Sequence, residues 1–501
     1  MGIIIRQSFF ASIFSYIGIG IGAFSMLYLF PKFFSPTEYG AQRLLIELGA
    51  LVSSFAILGV GQSAFRFHPY FFNKDEKKFN GFFFLLFALP VVGLLTVSAI
   101  LHFNEAWFIS FIKADSKYAK MIFPMLKWLV FAMALQTLMD SISSIFSRLA
   151  SQNFFKEICV RLSILGIGFL YYKGIIDFST SCWLIVIAYG VFSGLSFIWI
   201  VVNEKISFRP DFGYIKDRPE LKVDIIKYST WLFLSSLTVL FINKVDFVMI
   251  STQKTFADTA IYSVAFYIAT LVDIPKRTVT QVVFPFISRH LKSKEYPQLS
   301  TLVKQASLNQ LVLALLVFGL IWINIDSIFK IIPNGNYYNT GKMVVLIIGI
   351  AKIWESMISV MGVVVSNSNF YVLGFINSII SIIVAVGANL LLIPIFGING
   401  AALATFFTIV ISTITSMLIV WFKLRIHPWV KNHLKAIILL IVVFGFTLLP
   451  SLFENHLIDI GVKSFMLLFT YSSMVYFLNI SPEVTQTINK HLPEFLKSKN
   501  S

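Results

Sequence analysis

The sequence predicts an all-α polytopic membrane protein. About 14 transmembrane helices form two pseudo-symmetric six-helix lobes, followed by two extra C-terminal helices. Three observations predict this. Hydrophobic residues make up 57% of the 501-residue chain and charged residues only 13%, with a mean hydropathy of +0.81. Apolar stretches of the ~20 residues needed to cross a ~30 Å hydrocarbon core recur from end to end. The chain also echoes itself at an offset of about 220 residues.

In order, the expected spans are 9–30, 44–65, 81–103, 121–146, 158–176, 180–202, 228–250, 259–284, 306–329, 343–365, 370–393, 398–422, 434–453 and 460–480. They are apolar around the whole helix, which suits lipid and helix–helix contact. Barrel strands would be short and alternating instead. Helices of this length satisfy their own backbone in lipid. The first is expected to be retained, because Leu29-Phe30-Pro31-Lys32 offers no small-residue cleavage site. The reading divides the chain into a lobe at 1–203, a cytoplasmic linker at 204–227, a second lobe at 228–422, two added helices at 423–480 and a tail at 481–501. The tail is expected to form a short interfacial helix over 482–496.

Positive charge sets orientation. With the N-terminus inside, the inner segments hold 24 of the 40 basic residues and the outer segments 8. Both termini are therefore expected in the cytoplasm. Basic loops facing anionic headgroups account for the net charge of +16 without nucleic acid. Cys159 and Cys182 give neither a disulfide framework nor metal-ligand spacing. The GIGIG run at Gly18, Gly20 and Gly22 follows no strand, so close helix packing is expected in place of dinucleotide binding.

The repeat fixes the plan. SPTEYGAQ (35–42) opens the second span and TFADTAIY (255–262) the eighth. NKDEKK (73–78) corresponds to HLKSKE (290–295), and YYKGIIDFSTSCWL (171–184) to LIPIFGINGAALAT (392–405). Six spans per unit is even, so the repeats point the same way, with the substrate expected between them.

At this point the chain resembles a known family, the polysaccharide-exporter branch of the multidrug, oligosaccharidyl-lipid and polysaccharide exporter superfamily. More narrowly it resembles the O-antigen repeat-unit flippases. The motifs are FPKFFSPTEYG (30–40), LGVGQSAFRF (58–67), NKVDFVMI (243–250), AIYSVAFYIATL (260–271), VVFPFISRHLKSKE (282–295) and IPIFGINGAALAT (393–405). The resemblance implies a cavity opening alternately to either side of a bacterial inner membrane. It implies an undecaprenyl-pyrophosphate-linked oligosaccharide as cargo, moved to the outer leaflet. It needs no cofactor beyond a coupling proton or sodium ion. A polysaccharide polymerase and a chain-length regulator are the implied partners. One departure is the absence of charge between Arg6 and Lys32 in the first span.

Ionisable groups inside spans are costly and face a cavity or a partner. The cations Arg277, Lys276, Lys352, Lys244, Arg161 and Arg43 are the expected pyrophosphate and sugar contacts. The carboxylates among them are Asp273, Glu355, Glu47, Asp140 and Asp246. Asp273 reaches Lys276 at i,i+3 and Arg277 at i,i+4, and is expected to organise both. Lys352 with Glu355, and Arg43 with Glu47, are further local pairs. Lys244 and Asp246 lie on different faces. Asp140 has the poorest local pairing and is the expected protonation switch. Asn243, Gln281, Tyr262, Tyr267, Asn377 and Asn389 supply polar groups for a sugar. For terminal Arg residues the plain alternative is snorkelling.

Two other functions compete. A drug or metabolite antiporter of the same superfamily usually has fewer spans and relies on cavity carboxylates. A membrane polymerase or ligase usually needs a large outer loop carrying catalytic groups, and the segments 104–120 and 330–342 contain no convincing acid–base constellation.

Overall fold

The computed structural model describes residues 2–73, 78–79, 81–112, 116–204, 206, 208–210, 219–446 and 453–481. A helix occupies each of the expected spans. Ten described helices are long and apolar enough to cross a membrane, and the pair Phe256–Thr270 and Asp273–Lys292, bent by 47°, adds an eleventh as one broken span. This is a multi-pass membrane protein. The remaining expected spans are helical as well. Leu149–Asn153 and Val160–Tyr172 are joined by a π-helical Phe154–Cys159, and the other two places hold Pro219–Gln253 and Asn432–Phe446. Outside the helices, Phe72–Asn73 and Lys78–Phe79 form a two-stranded antiparallel ladder. The expected tail helix lies outside the described residues.

The chain forms two compact units, Met1–Ser263 and Val264–Ser501. In the first, the second span starts at Pro36, earlier than its apolar run, because Ser35 and Glu38 form a capping box. Ser35 N donates to Glu38 Oε2 at 3.0 Å and Glu38 N donates to Ser35 Oγ at 3.4 Å. The same chemistry recurs where the repeat predicts it. Asp258 N donates to Thr255 Oγ1 at 3.1 Å, and Thr255 N to Asp258 Oδ2 at 3.1 Å. The two capped starts meet closely, since a Cβ on Gly40 would stand 1.7 Å from Phe256 O. Gly18 packs in the same way against Glu157, whose Cβ would lie 2.7 Å away. The segment 104–120, expected as loop, contains the short Glu105–Phe111 helix. Its Trp107 and Phe111 are exposed, as suits a membrane interface. The core gathers Phe67, Phe82, Phe83, Leu138, Met139 and Ile200 from four spans.

The second unit packs Val360, Met361 and Val364 against Ile287, Leu299 and Val420. The added helices dock on the Tyr296–Ile323 helix, with Leu439, Leu467 and Val475 against Leu308, Val312 and Leu315. Tyr471 Oη donates to Val312 O at 2.6 Å. The third repeat match is also structural. Gly174 (φ +71°) and Gly397 (φ +59°) each end a helix in backbone that only glycine adopts readily.

Candidate functional site

Two buried ion clusters hold most of the charges predicted from sequence. The first lies in the Met1–Ser263 unit. Arg43 and Glu47, one turn apart on the Pro36–Ile57 helix, form an ion pair, and Lys244 from the Pro219–Gln253 helix meets the other oxygen of Glu47. The Glu47 side chain is only 2% exposed. The Arg43 guanidinium also stands 5.7 Å from the centre of the Phe247 ring. Arg43 falls at the rim of its expected span, but the earlier helix start draws it inward and buries it. Asp246, two residues beyond Lys244, turns the other way and accepts from Tyr262 Oη at 2.5 Å.

The second cluster lies in the Val264–Ser501 unit and is a closed ring of alternating charge. Lys276 Nζ lies 2.8 Å from Asp273 Oδ1 and 2.7 Å from Glu355 Oε1. Lys352 Nζ lies 3.1 Å from Asp273 Oδ2 and 3.0 Å from Glu355 Oε2. Each lysine touches both carboxylates, and each carboxylate both lysines. Asp273 and Lys276 come from the first turn of the Asp273–Lys292 helix, just after the bend. Lys352 and Glu355 come from the middle of the Lys342–Asn367 helix. Lys352 is almost wholly buried, at 4% side-chain exposure, and the ring leaves no charge uncompensated.

Two expectations are corrected. Asp273 does not organise Arg277; its second cation is Lys352 from another helix. Arg277 is exposed and makes no ion pair among the described residues, because its 100° offset from Lys276 turns it off the ring face. Asp140 is not poorly paired, since Lys156 Nζ donates to its Oδ2 at 2.7 Å. That lysine is 16 residues away, beyond any local spacing rule. Arg161 is tied internally, 2.6 Å from Glu157 and 2.8 Å from Gly18 O. Of the polar groups expected for a sugar, Tyr262, Asn377 and Asn389 are buried and bonded within the protein, whereas Gln281 is exposed on the helix that carries Arg277.

Sequence reasoning passed over two further features. Asp459 and Lys463 form a buried pair at 3.0 Å with Ser327 donating to Asp459 at 3.0 Å; their i,i+4 spacing was a readable signal. Gln310, fully buried, had no local signal. Among the described residues no group of three or more His, Cys, Asp or Glu is placed to hold a metal ion.

Comparison with known proteins gives the fold. The chain is similar to the lipid II flippase MurJ in an inward closed conformation, with a TM-score of 0.72 over 93% of this chain and 98% of that one, at 15% identity. The chain has the fold of that flippase and of MATE transporters of the MOP superfamily. A mutant of the Vibrio cholerae MATE transporter VcmN shares that superfamily fold less closely, at a TM-score of 0.54, 13% identity and 85% and 98% coverage. An inward-facing multidrug resistance MATE family transporter of the superfamily gives 0.55 at 13% identity, covering 82% and 94%. In sequence, the probable low-salt glycan biosynthesis flippase Agl15 of Haloferax volcanii is 23% identical over 258 residues. That match takes in 50% of this chain, which spans about half (54%) of the relative's length. No protein-family model matches the chain.

Proposed function

We propose that this protein is a transporter that flips a lipid-linked oligosaccharide across its membrane by alternating access. The observation that carries the reading is the likeness to a lipid II flippase over nearly the whole of both chains. The match to a glycan biosynthesis flippase supports it from sequence. The cargo we infer is an undecaprenyl-pyrophosphate-linked repeat unit of O-antigen or another surface polysaccharide. It moves from the cytoplasmic to the outer leaflet of a bacterial inner membrane, with both termini of the protein cytoplasmic. The polymerase and chain-length regulator then act on the delivered unit.

The chemistry follows from the charges. No bond is made or broken, so the protein needs only to bind the charged headgroup and screen it from hydrocarbon. Arg277 has an unused guanidinium fork, suited to bidentate binding of a phosphate. Gln281, one turn on, offers an amide to a sugar. An exposed guanidinium within a span is stable where water reaches it. Lys276 and Lys352 are held by carboxylates, and become phosphate donors only when the ring opens. Lys244 and Arg43 offer a second cationic site. Asp140 is paired with one lysine, whereas Glu47 and Glu355 are each paired with two cations, so the geometry favours neither glutamate over Asp140 for sensing a coupling proton, and sodium is the other coupling ion to test.

The similarity to MATE transporters favours a second reading, cation-coupled export of a drug or metabolite. Proteoliposomes separate the two. A labelled undecaprenyl-pyrophosphate oligosaccharide should become accessible to an impermeant quencher at a rate that depends on the protein. Arg277→Ala should abolish this in protein that still inserts, and Arg277→Lys should restore only part of it. Gradient-driven export of a cationic dye, with no movement of the lipid-linked sugar, would replace the flippase with the antiporter.

A further inference from the structure

Gln310 lies on the Tyr296–Ile323 helix and is fully buried. Its Nε2 donates to Thr280 Oγ1 at 3.0 Å and reaches Lys276 O at 3.5 Å; its Oε1 accepts from Ser359 Oγ at 3.0 Å. The Lys276 carbonyl can only accept, so it fixes which end of the amide faces it. One side chain therefore binds two other helices at once.

The positions of its partners matter. Thr280 is four residues beyond Lys276 on the Asp273–Lys292 helix, and Ser359 is four residues beyond Glu355 on the Lys342–Asn367 helix. Four residues are about one helical turn, ~6 Å of rise. Gln310 thus repeats, one turn along, the pairing that the ion ring makes between the same two helices. The ring alone defines that register poorly. Lysine stems are long and flexible, and an ammonium reaches a carboxylate over a wide range of helix shifts. A buried amide between two short hydroxyl side chains tolerates little. A slide of one residue, ~1.5 Å, would carry a 3.0 Å hydrogen bond beyond its useful range.

We propose that Gln310 is a positioning residue. It sets the register of the Asp273–Lys292 helix against the Lys342–Asn367 helix and so places Lys276 opposite Glu355 in the ring. The importance of that ring for transport rests on the proposed function; the positioning itself does not.

The test measures coupling within the ring. Unfolding midpoints of the purified protein in detergent are compared for K276M, E355Q and the double variant, with Gln310 present and in Q310M. With Gln310, the double variant should lose little more than the worse single variant, because it restores charge balance around Asp273 and Lys352. In Q310M the non-additivity should fall by at least half, and the T280V/S359A protein, which keeps Gln310 but removes its partners, should behave alike. If Q310M does not fold, T280V/S359A carries the same test. Undiminished non-additivity in those backgrounds, or its absence when Gln310 is intact, overturns the proposal. Flipping in proteoliposomes is the second readout, expected to fall at least tenfold in Q310M. Collapse of the coupling with normal flipping would support the positioning and remove the ring from the transport site. Absence of flipping by the wild-type protein would strike the functional reading alone.

Discussion

Replacing Glu47 by Gln removes the carboxylate that Arg43 and Lys244 share. Its side chain is 2% exposed, that of Arg43 11% and that of Lys244 29%. Breaking a buried ion pair from one side costs about 3–5 kcal/mol, because the remaining charge is left uncompensated. Lys244 is partly hydrated, so its share of the loss is screened, and about 3 kcal/mol is the expected total for Glu47→Gln. Arg43→Met leaves Glu47 with Lys244 and should cost less, about 1.5–3 kcal/mol for a charge-assisted bond. Lys244→Met removes the most hydrated partner and should cost about 1 kcal/mol. The order of losses is therefore Glu47, Arg43, Lys244. Adding Arg43→Met to Glu47→Gln removes the stranded guanidinium and should recover stability. Equilibrium unfolding in detergent, arranged as a double-mutant cycle, measures each step. A Lys244→Met loss equal to that of Glu47→Gln, or a double variant no more stable than Glu47→Gln alone, would refute a shared buried carboxylate.

Lys352→Met should destabilise by about 3–5 kcal/mol, since Asp273 and Glu355 would then share one lysine; a loss below about 1 kcal/mol in the same unfolding assay contradicts the ring. Gly40→Val should cost more than the ~1–3 kcal/mol of ordinary overpacking, because its Cβ would meet the Phe256 carbonyl at 1.7 Å; normal expression and melting would show that the two helix starts do not touch. Reporters fused after Lys78, Lys222, Lys294 and Lys431 should read cytoplasmic, and those after Lys113 and Lys254 external, from the bias of 24 basic residues to 8. Inverted signs, or an odd number of crossings, would remove the proposed topology.

The spans were legible because hydropathy is a property of consecutive residues. The repeat was legible for a related reason. Ser35 with Glu38 and Thr255 with Asp258 cap their helices through side chains three residues apart, so the motif and its structure coincide. Where an apolar run was taken as the whole helix, the start was misplaced. The second span begins at Pro36 on polar sequence, and Arg43 is buried as a result. Local ion pairs such as Arg43 with Glu47 and Lys352 with Glu355 could be read from spacing. Pairs between separate helices could not. Lys244 reaches Glu47 across 197 residues and Lys156 reaches Asp140 across 16; both depend on which helices pack together. For Gln310 there was no signal at all, since its partners lie 30 and 49 residues away on separate helices.

The two clusters differ in charge, and this sets what Asp273 does. The first cluster has two cations for one carboxylate; the ring has two for two. An anion approaching the ring meets lysines that are already satisfied, with Arg277 an accessible cation next to Lys276. If Asp273 organised Lys276 and Arg277, as its spacing suggests, Asp273→Asn would lose substrate binding. The geometry reverses that expectation. Asp273 is the competitor of an incoming diphosphate for Lys276 and Lys352. Asp273→Asn leaves these lysines sharing only Glu355, so the ring gains one net positive charge. Binding of a diphosphate headgroup should tighten, because the carboxylate no longer has to be displaced. Turnover should fall, because the two lysines then have only Glu355 to return to on release. A stability loss of about 3 kcal/mol is expected without ligand, again from an uncompensated buried charge. Competition by inorganic pyrophosphate against a labelled lipid-linked oligosaccharide reads the first effect, and the flipping rate at saturating cargo reads the second. Weaker binding in the Asn variant, with rates unchanged at saturation, would restore Asp273 as a residue that aligns the cations and would end its role as their counter-ion.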